Sequence, residues 1–397
     1  MRPDSAATVA FLAALIAIGQ MTTVIYLPSL PTLVDAFSTD IATVQLTMTV
    51  YLAALGICPL VYGPLSDRFG RRPVLIGGLA IYAAASVGCA FAPDIQTLIV
   101  CRGLQAVGVC SGQVTSQAIA RDVYDGPRMA KVFGIISIAQ AITPGVGPTV
   151  GGHLHVWFGW QANFVLMVAA AAFLIFLALT RLPETNRRRD PHALTLWPLA
   201  ANFAGLVRHR GFFANTLASA FCLAALFAYL TGSPFLLIDR LGVRPDHFGI
   251  LSFINVSGFA VGAFLSTRLV VRVGAERLAR IGAVVMVSGA AVLPASVQLD
   301  LLSVYSVVLA QFVFSVGMGL ILSNALALAL ADFRQIGGTA SALLGYVQMM
   351  LAMVASALVS ALTPIRPLAM IDIYFVSAIL AALTLFLLAP SAARRAP

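Results

Sequence analysis

The stretch Gly63-Pro64-Leu65-Ser66-Asp67-Arg68-Phe69-Gly70-Arg71-Arg72-Pro73 decides how the rest of the sequence is interpreted. It concentrates charge, glycine and proline between two long apolar segments. The chain of 397 residues is 60% hydrophobic and only 10% charged, whereas soluble domains carry about 25% charged residues. The sequence therefore predicts an integral membrane protein in which this stretch is a charged turn between two spans.

Apolar runs long enough to cross a bilayer recur along the chain, since a span needs about 20 residues. One long polar break, which contains Arg187, Arg188 and Arg189 in a row, follows the sixth run. We predict an all-α membrane protein with twelve transmembrane helices in two pseudo-symmetric six-helix bundles. The predicted spans are 9–30, 43–62, 73–91, 97–119, 131–152, 161–182, 212–237, 248–267, 278–297, 302–329, 339–362 and 369–389. The predicted domains are an N-terminal bundle at 1–182, a cytoplasmic linker at 183–211 and a C-terminal bundle at 212–397.

The placement of arginine and lysine predicts the orientation of the chain. With both termini in the cytoplasm, every Arg and Lys falls in a cytoplasmic segment except Arg102, Arg240, Arg244 and Arg366. The net charge of +9 is spread over short loops without interleaved aromatic residues, so nucleic-acid binding is not expected. The five cysteines lie in apolar runs without metal-site spacing, and we expect neither a disulfide framework nor a metal site.

The two halves show weak internal repetition. Arg68-Phe69-Gly70 after the second run has a counterpart in Arg272-Val273-Gly274 after the eighth. Pro28 in the first run is matched by Pro234 in the seventh. Proline-interrupted segments at corresponding places indicate a binding site at the repeat interface. The alternative is that proline is simply common in membrane helices.

Four groups of motifs stand out along the chain. They are Gly63–Pro73, Arg102–Gly108, Gly147–Gly152 preceded by Gly134, and a narrower group made of Tyr26–Pro31, Ala120–Tyr124, Gly232–Phe235 and Gly338–Ala342. With these motifs the chain resembles the major facilitator superfamily and, within it, the twelve-helix drug:H⁺ antiporters of the bicyclomycin and chloramphenicol resistance (Bcr/CflA) type. Ala106 and Thr143 stand where the family usually has glycine.

The resemblance implies a conformational latch at the end of the second span. Small residues such as Gly63 allow close approach of two helices, and Asp67 is expected to face a helix N-terminus and to pair with Arg71 or Arg121. The alternative is an ordinary positively charged loop. The latch residues are Gly63, Asp67, Arg68, Gly70, Arg71, Arg72, Arg121 and Asp122.

Arg102 is the charge that the sequence places well inside a span. A buried arginine is costly unless it is paired or hydrated, so it is a functional candidate. The resemblance implies that Arg102 couples protonation to transport, and the alternative is that its side chain snorkels to the headgroups. Many family members carry an acidic residue just before Tyr-Leu-Pro, where this chain has Val24. Proton coupling must then use Asp35 or the pair Asp67 and Asp122, or be absent.

Two further residue sets complete the predicted site. By resemblance, glycine and proline residues in the fifth span imply a hinge, and the alternative is ordinary close packing of helices. These residues are Gly147, Pro148, Gly151 and Gly152. Polar residues inside spans are tolerated where they face protein or water and not lipid, so they are candidates to line a substrate cavity. Their alternative role is interhelical hydrogen bonding. Two apolar residues, Met21 and Phe235, are added because their side chains offer adaptable apolar surface for binding. The full set of cavity candidates is Gln20, Met21, Thr23, Tyr51, Gln113, Gln140, Tyr229, Phe235, Asn255, Asn324, Tyr346 and Gln348.

These features favour a secondary exporter of small amphipathic compounds, neutral or zwitterionic and phenicol-like, in exchange for protons. The alternative is a gradient-driven facilitator or proton-coupled carrier of a small metabolite. An enzyme is not expected, because His153 and His155 lack a third ligand and form no metal constellation. ATP-driven transport is not expected either, because the sequence contains no phosphate-binding glycine loop. The expected partners are a small-molecule substrate, protons and the lipid bilayer of a bacterial inner membrane. No catalytic residue or cofactor is predicted, and a monomer is expected.

Overall fold

The computed structural model describes residues 6–186, 205–333 and 337–388. Within these ranges, twelve helices are long and apolar enough to cross a membrane, which confirms the predicted number. Arg187, Arg188 and Arg189 lie outside the described residues. The spans are Ala6–Ala36, Ile41–Phe69, Arg71–Ala90, Ile95–Val123, Gly126–Phe158, Gln161–Arg181, Arg210–Arg240, Pro245–Val273, Ala275–Gln298, Val304–Leu330, Gly337–Leu362 and Ala369–Leu388.

The described helices belong to two compact units. The first six spans form the N-terminal unit together with Arg244–Gly249. The seventh span and the remainder of the later spans form the C-terminal unit. The division into six and six spans agrees with two helical bundles, whereas the linker boundaries stay a prediction.

Short polar caps determine where two spans begin. The Oδ1 atom of Asp40 accepts a hydrogen bond of 2.9 Å from the backbone nitrogen of Thr43, at the start of the second span. Asp94 does the same at 2.7 Å for Thr97, at the start of the fourth span. Each cap satisfies a backbone N–H that has no partner within its own helix.

The charged stretch Gly63–Pro73 is mostly helical, so the prediction that the whole stretch is a turn was wrong. The second span continues to Phe69 and the third begins at Arg71. Gly70 alone separates them, with φ at 105°. A helix satisfies backbone polar groups even where the side chains become polar, and glycine adopts this φ without steric cost. Gly274, with φ at 88°, separates the eighth and ninth spans in the same way.

The first and seventh spans are both irregular near their matched prolines. The first α-helix ends at Val24 and passes through a 3₁₀ turn at Leu27–Ser29 that contains Pro28. The seventh α-helix ends at Pro234 and continues as a π-helical turn, Phe235–Arg240. Because proline lacks a backbone donor, both sites lose a regular α-helical hydrogen bond. The sequence repetition is thus reproduced as a structural repetition within each unit.

A pair of glycines makes the same close contact in each unit. In the N-terminal unit, a Cβ atom on Gly108 would lie 2.7 Å from the carbonyl oxygen of Gly78 and would overlap the backbone of Tyr82. In the C-terminal unit, a Cβ atom on Gly317 would lie 2.5 Å from the carbonyl oxygen of Gly282 and would overlap the backbone of Met286. The third and fourth spans, like the ninth and tenth, therefore pack backbone against backbone.

We expect Gly108→Ala to destabilise the protein by about 1–3 kcal/mol, because the added methyl group meets rigid backbone rather than a movable side chain. The matched control is Gly77→Ala, where a Cβ atom would have no neighbour within 4 Å among the described residues. Thermal unfolding of both purified variants measures the difference. Equal unfolding temperatures would contradict the close packing at Gly108.

The N-cap of the second span predicts a pH dependence. The backbone hydrogen bond from Thr43 holds the pKa of Asp40 below its ordinary value of 3.8. Because the folded-state pKa is depressed, this stabilisation is present above the ordinary pKa and is lost as the pH falls through the folded value. Between about pH 6 and about pH 3, the wild type should lose more thermal stability than Asp40→Asn, whose amide titrates nothing. Parallel pH profiles of the two proteins would contradict this expectation.

Candidate functional site

Arg71 is the centre of a charged cluster where the second span meets the third. Its Nη1 atom donates to Asp67 Oδ1 at 2.5 Å and to Ser66 Oγ at 2.7 Å. Its Nε atom donates to Asp122 Oδ2 at 3.0 Å, at the end of the fourth span. The Arg71 side chain is 12% exposed, whereas those of Asp67 and Asp122 are 47% and 23% exposed. One guanidinium therefore joins two carboxylates from two different spans.

The segment after the sixth span completes this cluster, and sequence reasoning missed it. Glu184 accepts hydrogen bonds from the backbone nitrogens of Arg71 at 2.9 Å and Arg72 at 3.2 Å. A carboxylate at this place satisfies free N–H groups and complements the dipole at the start of the third span. The side chain of Asn186 donates to the carbonyl oxygen of Asp67 at 2.9 Å. The run Pro183-Glu184-Thr185-Asn186, polar directly after an apolar span, was the signal available in the sequence.

The other predicted latch residues are less closely involved. Arg72 donates to the carbonyl oxygens of Ala178 and Leu179 in the sixth span. Arg68 and Arg121 are exposed and form no ion pair within the described ranges. The expected close helix approach at Gly63 was wrong, because among the described residues nothing lies within 4 Å of a Cβ atom added there.

Arg102 lies inside the N-terminal unit with no exposed surface, so its side chain does not snorkel. Its guanidinium carbon is 4.1 Å from the ring centroid of Tyr26 and 4.2 Å from that of Tyr51. Two aromatic faces thus stabilise the cation in place of water. Its Nη1 atom donates to Gln105 Oε1 at 2.5 Å and to the carbonyl oxygen of Thr22 at 3.2 Å.

Hydrogen bonds extend from Arg102 across three spans. Gln105 Nε2 donates to Ser86 Oγ at 2.8 Å, which links the fourth span to the third. The hydroxyl groups of Thr22 and Tyr82 are 2.7 Å apart and link the first span to the third. In the part of the chain that the structure describes, no carboxylate is bonded to Arg102 and its Nε and Nη2 atoms have no hydrogen-bond partner. The positive charge is held by neutral groups alone.

The predicted hinge residues bring the fifth span against the first. The fifth span is helical from Gly126 to Phe158, through Pro148. A Cβ atom on Gly147 would lie 2.6 Å from Val24 Cγ2, and one on Gly151 would overlap the carbonyl group of Ile25. Val24 is therefore packed against Gly147.

Neither Asp35 nor the paired histidines form a larger cluster. Asp35 is exposed in the last turn of the first span. His155 Nε2 is 3.1 Å from Thr32 Oγ1, and His153 Nδ1 is 2.8 Å from the carbonyl oxygen of Thr149. Across the described residues, no group of three His, Cys, Asp or Glu side chains is placed to hold a metal ion.

Several cavity candidates are engaged in hydrogen bonds between or within spans. Tyr51 donates to the carbonyl oxygen of Gly19 at 3.3 Å and accepts from Thr23. In the C-terminal unit, Asn324 donates to Ser266 at 2.8 Å and Gln348 to Ser219 at 3.1 Å. Tyr229 and Phe235 are buried. The half-buried candidates are Gln20, Met21, Gln113, Gln140, Asn255 and Tyr346, and their role in a cavity stays a prediction.

Comparison with known proteins identifies relatives along the whole chain. An uncharacterised transporter of Bacillus subtilis is 31% identical over 380 residues, covering 95% of this chain and 94% of that protein. A chloramphenicol resistance protein of Pseudomonas aeruginosa is 32% identical over 346 residues, covering 86% and 80%. A bicyclomycin resistance protein homologue of Haemophilus influenzae is 28% identical over 341 residues, covering 85% and 84%.

The family itself is shown by a match over residues 9–357 to the Major Facilitator Superfamily. The match covers both units and includes the charged cluster at Arg71, the buried Arg102 and the glycines of the fifth span. It agrees with the twelve apolar helices and the repeated packing of the two units. The chain therefore belongs to the Major Facilitator Superfamily and is a multi-pass membrane transporter of small molecules, not an enzyme.

Proposed function

We propose that the protein exports small amphipathic compounds, neutral or zwitterionic and phenicol-like, in exchange for protons by alternating access. Support comes from two relatives, one named a chloramphenicol resistance protein and the other a bicyclomycin resistance protein homologue. This chain is 32% identical to the first and 28% identical to the second, so its substrate is inferred from its own site as well.

The observation that carries the substrate class is the burial of Arg102 without a carboxylate partner. A cation entering the N-terminal unit would meet an uncompensated positive charge at low dielectric, which is unfavourable. Neutral and zwitterionic compounds avoid this repulsion. In the described residues, every Asp and Glu lies between spans or in the first or last turn of a span, so the spans offer no buried anion for a cationic drug.

Proton coupling is assigned to the cluster at Arg71. Asp67 and Asp122 share one guanidinium, and protonation of either carboxylate would remove one of its ion pairs. Loss of that pair would loosen the link between the second and fourth spans and so favour the other conformation of the transporter. Asp35 remains the second candidate, because it is exposed and open to protons from solution.

We propose that the protein lies in a bacterial inner membrane with both termini in the cytoplasm. The excess of arginine in the loops assigned to the cytoplasm supports both termini inside a bacterial inner membrane. In that orientation the Arg71 cluster lies on the cytoplasmic side and acts as the inner latch. We propose that the transporter functions as a monomer.

A gradient-driven facilitator or proton-coupled metabolite carrier is the alternative. The observation that favours it is Val24, which packs against Gly147 where an acidic residue would otherwise be available to carry a proton. Chloramphenicol and ethidium transport in everted vesicles separates the two functions. Accumulation of chloramphenicol that requires an imposed proton gradient supports the exporter, whereas transport indifferent to the gradient, or no drug transport, supports the alternative.

We expect Arg102→Gln to lower gradient-driven chloramphenicol accumulation by about tenfold or more, because a charged hydrogen-bond donor is lost from the buried network. The matched control is Tyr82→Phe, which removes a hydroxyl group from the same network and leaves the charge of Arg102 in place. Both variants are compared by vesicle transport and by thermal unfolding. An equal loss of transport in the two variants would show that Arg102 supports the structure and that its charge has no separate role in transport.

We expect Arg71→Lys to lower chloramphenicol transport by roughly tenfold, because lysine keeps the charge but lacks the fork that bonds two carboxylates at once. Arg121→Lys provides the control, since Arg121 is exposed and outside the ion pairs of the described residues. Transport rates are normalised to the amount of protein in the membrane. Retained activity in Arg71→Lys would remove the bridging geometry from the mechanism.

A further inference from the structure

The repeated glycine contacts identify the counterpart of Arg102 in the C-terminal unit. Gly108 and Gly317 make the same backbone contacts with the preceding span of their own unit. Arg102 lies six residues before Gly108, and Gln311 lies six residues before Gly317. Gln311 therefore occupies in the tenth span the position that Arg102 occupies in the fourth.

Gln311 is buried without visible compensation. Its exposed fraction is 0%, and neither its Nε2 atom nor its Oε1 atom has a hydrogen-bond partner among the described residues. Removing an amide from water without replacing its hydrogen bonds is unfavourable, and buried amides in proteins are normally satisfied. Gln311 thus stands out from the apolar helix around it.

The polar partners of Arg102 are replaced by apolar residues around Gln311. Gln105, three residues after Arg102, corresponds to Phe314, three residues after Gln311. Ser86, which accepts from Gln105 in the third span, corresponds to Ala290 when the two spans are aligned on Gly78 and Gly282. The positions around Gln311 that are equivalent to Gln105 and Ser86 therefore carry no side-chain hydrogen-bonding group.

A second unsatisfied group lies on the same side of the tenth span. Residues three apart on a helix share a face, so Gln311 and Phe314 point in similar directions. The ring of Phe314 is 4.7 Å from that of Tyr374 in the twelfth span, which is 6.0 Å from the ring of Tyr229 in the seventh. The hydroxyl group of Tyr374 is buried and has no hydrogen-bond partner within the described part of the chain.

We propose that Gln311 and Tyr374 form a buried, uncharged binding position for a group that both donates and accepts hydrogen bonds. The glutamine amide offers two donors and an acceptor, and the tyrosine hydroxyl offers one donor and an acceptor. No charge is present in either side chain, so the occupant is a neutral group. The rings of Phe314 and Tyr229 provide apolar surface beside it.

Such a group comes from one of two sources. A bound water with two or more protein partners would stabilise the folded unit itself. A hydroxyl or amide group of the transported compound would instead be bound during transport, and this source rests on the proposed function. Both sources offer the same hydrogen-bonding chemistry. If the group is a bound water, removing the side chains changes folding stability; if it belongs to the transported compound, removing them changes ligand affinity.

The test uses the purified full-length protein with the variants Gln311→Leu, Tyr374→Phe and the double variant. Thermal unfolding and chloramphenicol affinity are measured for each. Tyr305→Phe, at the 86% exposed Tyr305 in the same tenth span, is the control for loss of a tyrosine hydroxyl. For a water site, each single variant should unfold at a temperature roughly 2 °C below that of the wild type, and the double variant should lose less than the sum of the two single decreases, because both side chains bind the same water.

For a substrate group, the single variants should bind chloramphenicol about tenfold more weakly at unchanged unfolding temperature, and the double variant should lose little more. Either result supports the shared position. The proposal is overturned if stability is unchanged or raised at unchanged affinity, or if the two substitutions act additively. If the wild type itself does not bind chloramphenicol, the proposed function fails on that substrate, and the unfolding temperatures still decide the site.

Discussion

In the hydrocarbon of a membrane, every backbone N–H and C=O must find its partner inside the protein, and the whole structure follows from this constraint. It requires helices, and it keeps them helical through residues that would end a helix in water. The second span continues through Pro64 to Phe69, and the fifth continues through Pro148. Gly70 separates the second span from the third, and Gly274 separates the eighth from the ninth. A connection of one glycine leaves few backbone N–H and C=O groups outside a helix.

Helices alone do not hold together in lipid, because their apolar side chains gain little from leaving it. Close backbone contact replaces the hydrophobic effect as the source of packing energy. The pairs Gly78 with Gly108 and Gly282 with Gly317 allow this contact in the two units. The repeat is thus preserved in the residues that set the distance between helices, although most side chains around them differ.

The same repeat has diverged in its buried polar groups. The N-terminal unit places a permanent cation, Arg102, between two aromatic rings and surrounds it with hydroxyl and amide groups. The C-terminal unit has the neutral Gln311 at the equivalent position, beside Phe314 and Tyr374. Among the described residues, the buried charge therefore lies in the N-terminal unit.

The sequence by itself determined the class, the number of spans and the family. These depend on composition, on the length of apolar runs and on local motifs such as Gly63–Pro73, all of which can be recognised in the linear sequence. It also singled out Arg102 and Arg71, because charge near or inside a span is rare enough to be noticed.

Only the tertiary structure decided which groups meet. The hydrogen bond of Glu184 to the start of the third span joins residues more than a hundred positions apart, and no periodic pattern in the sequence predicts it. Close contact was expected at Gly63, but among the described residues nothing lies within 4 Å of a Cβ atom added there. The burial of Arg102 away from the headgroups, and the isolation of Gln311, likewise depend on side chains from other spans. Those contacts arise from packing in three dimensions, which the order of residues along one helix does not specify.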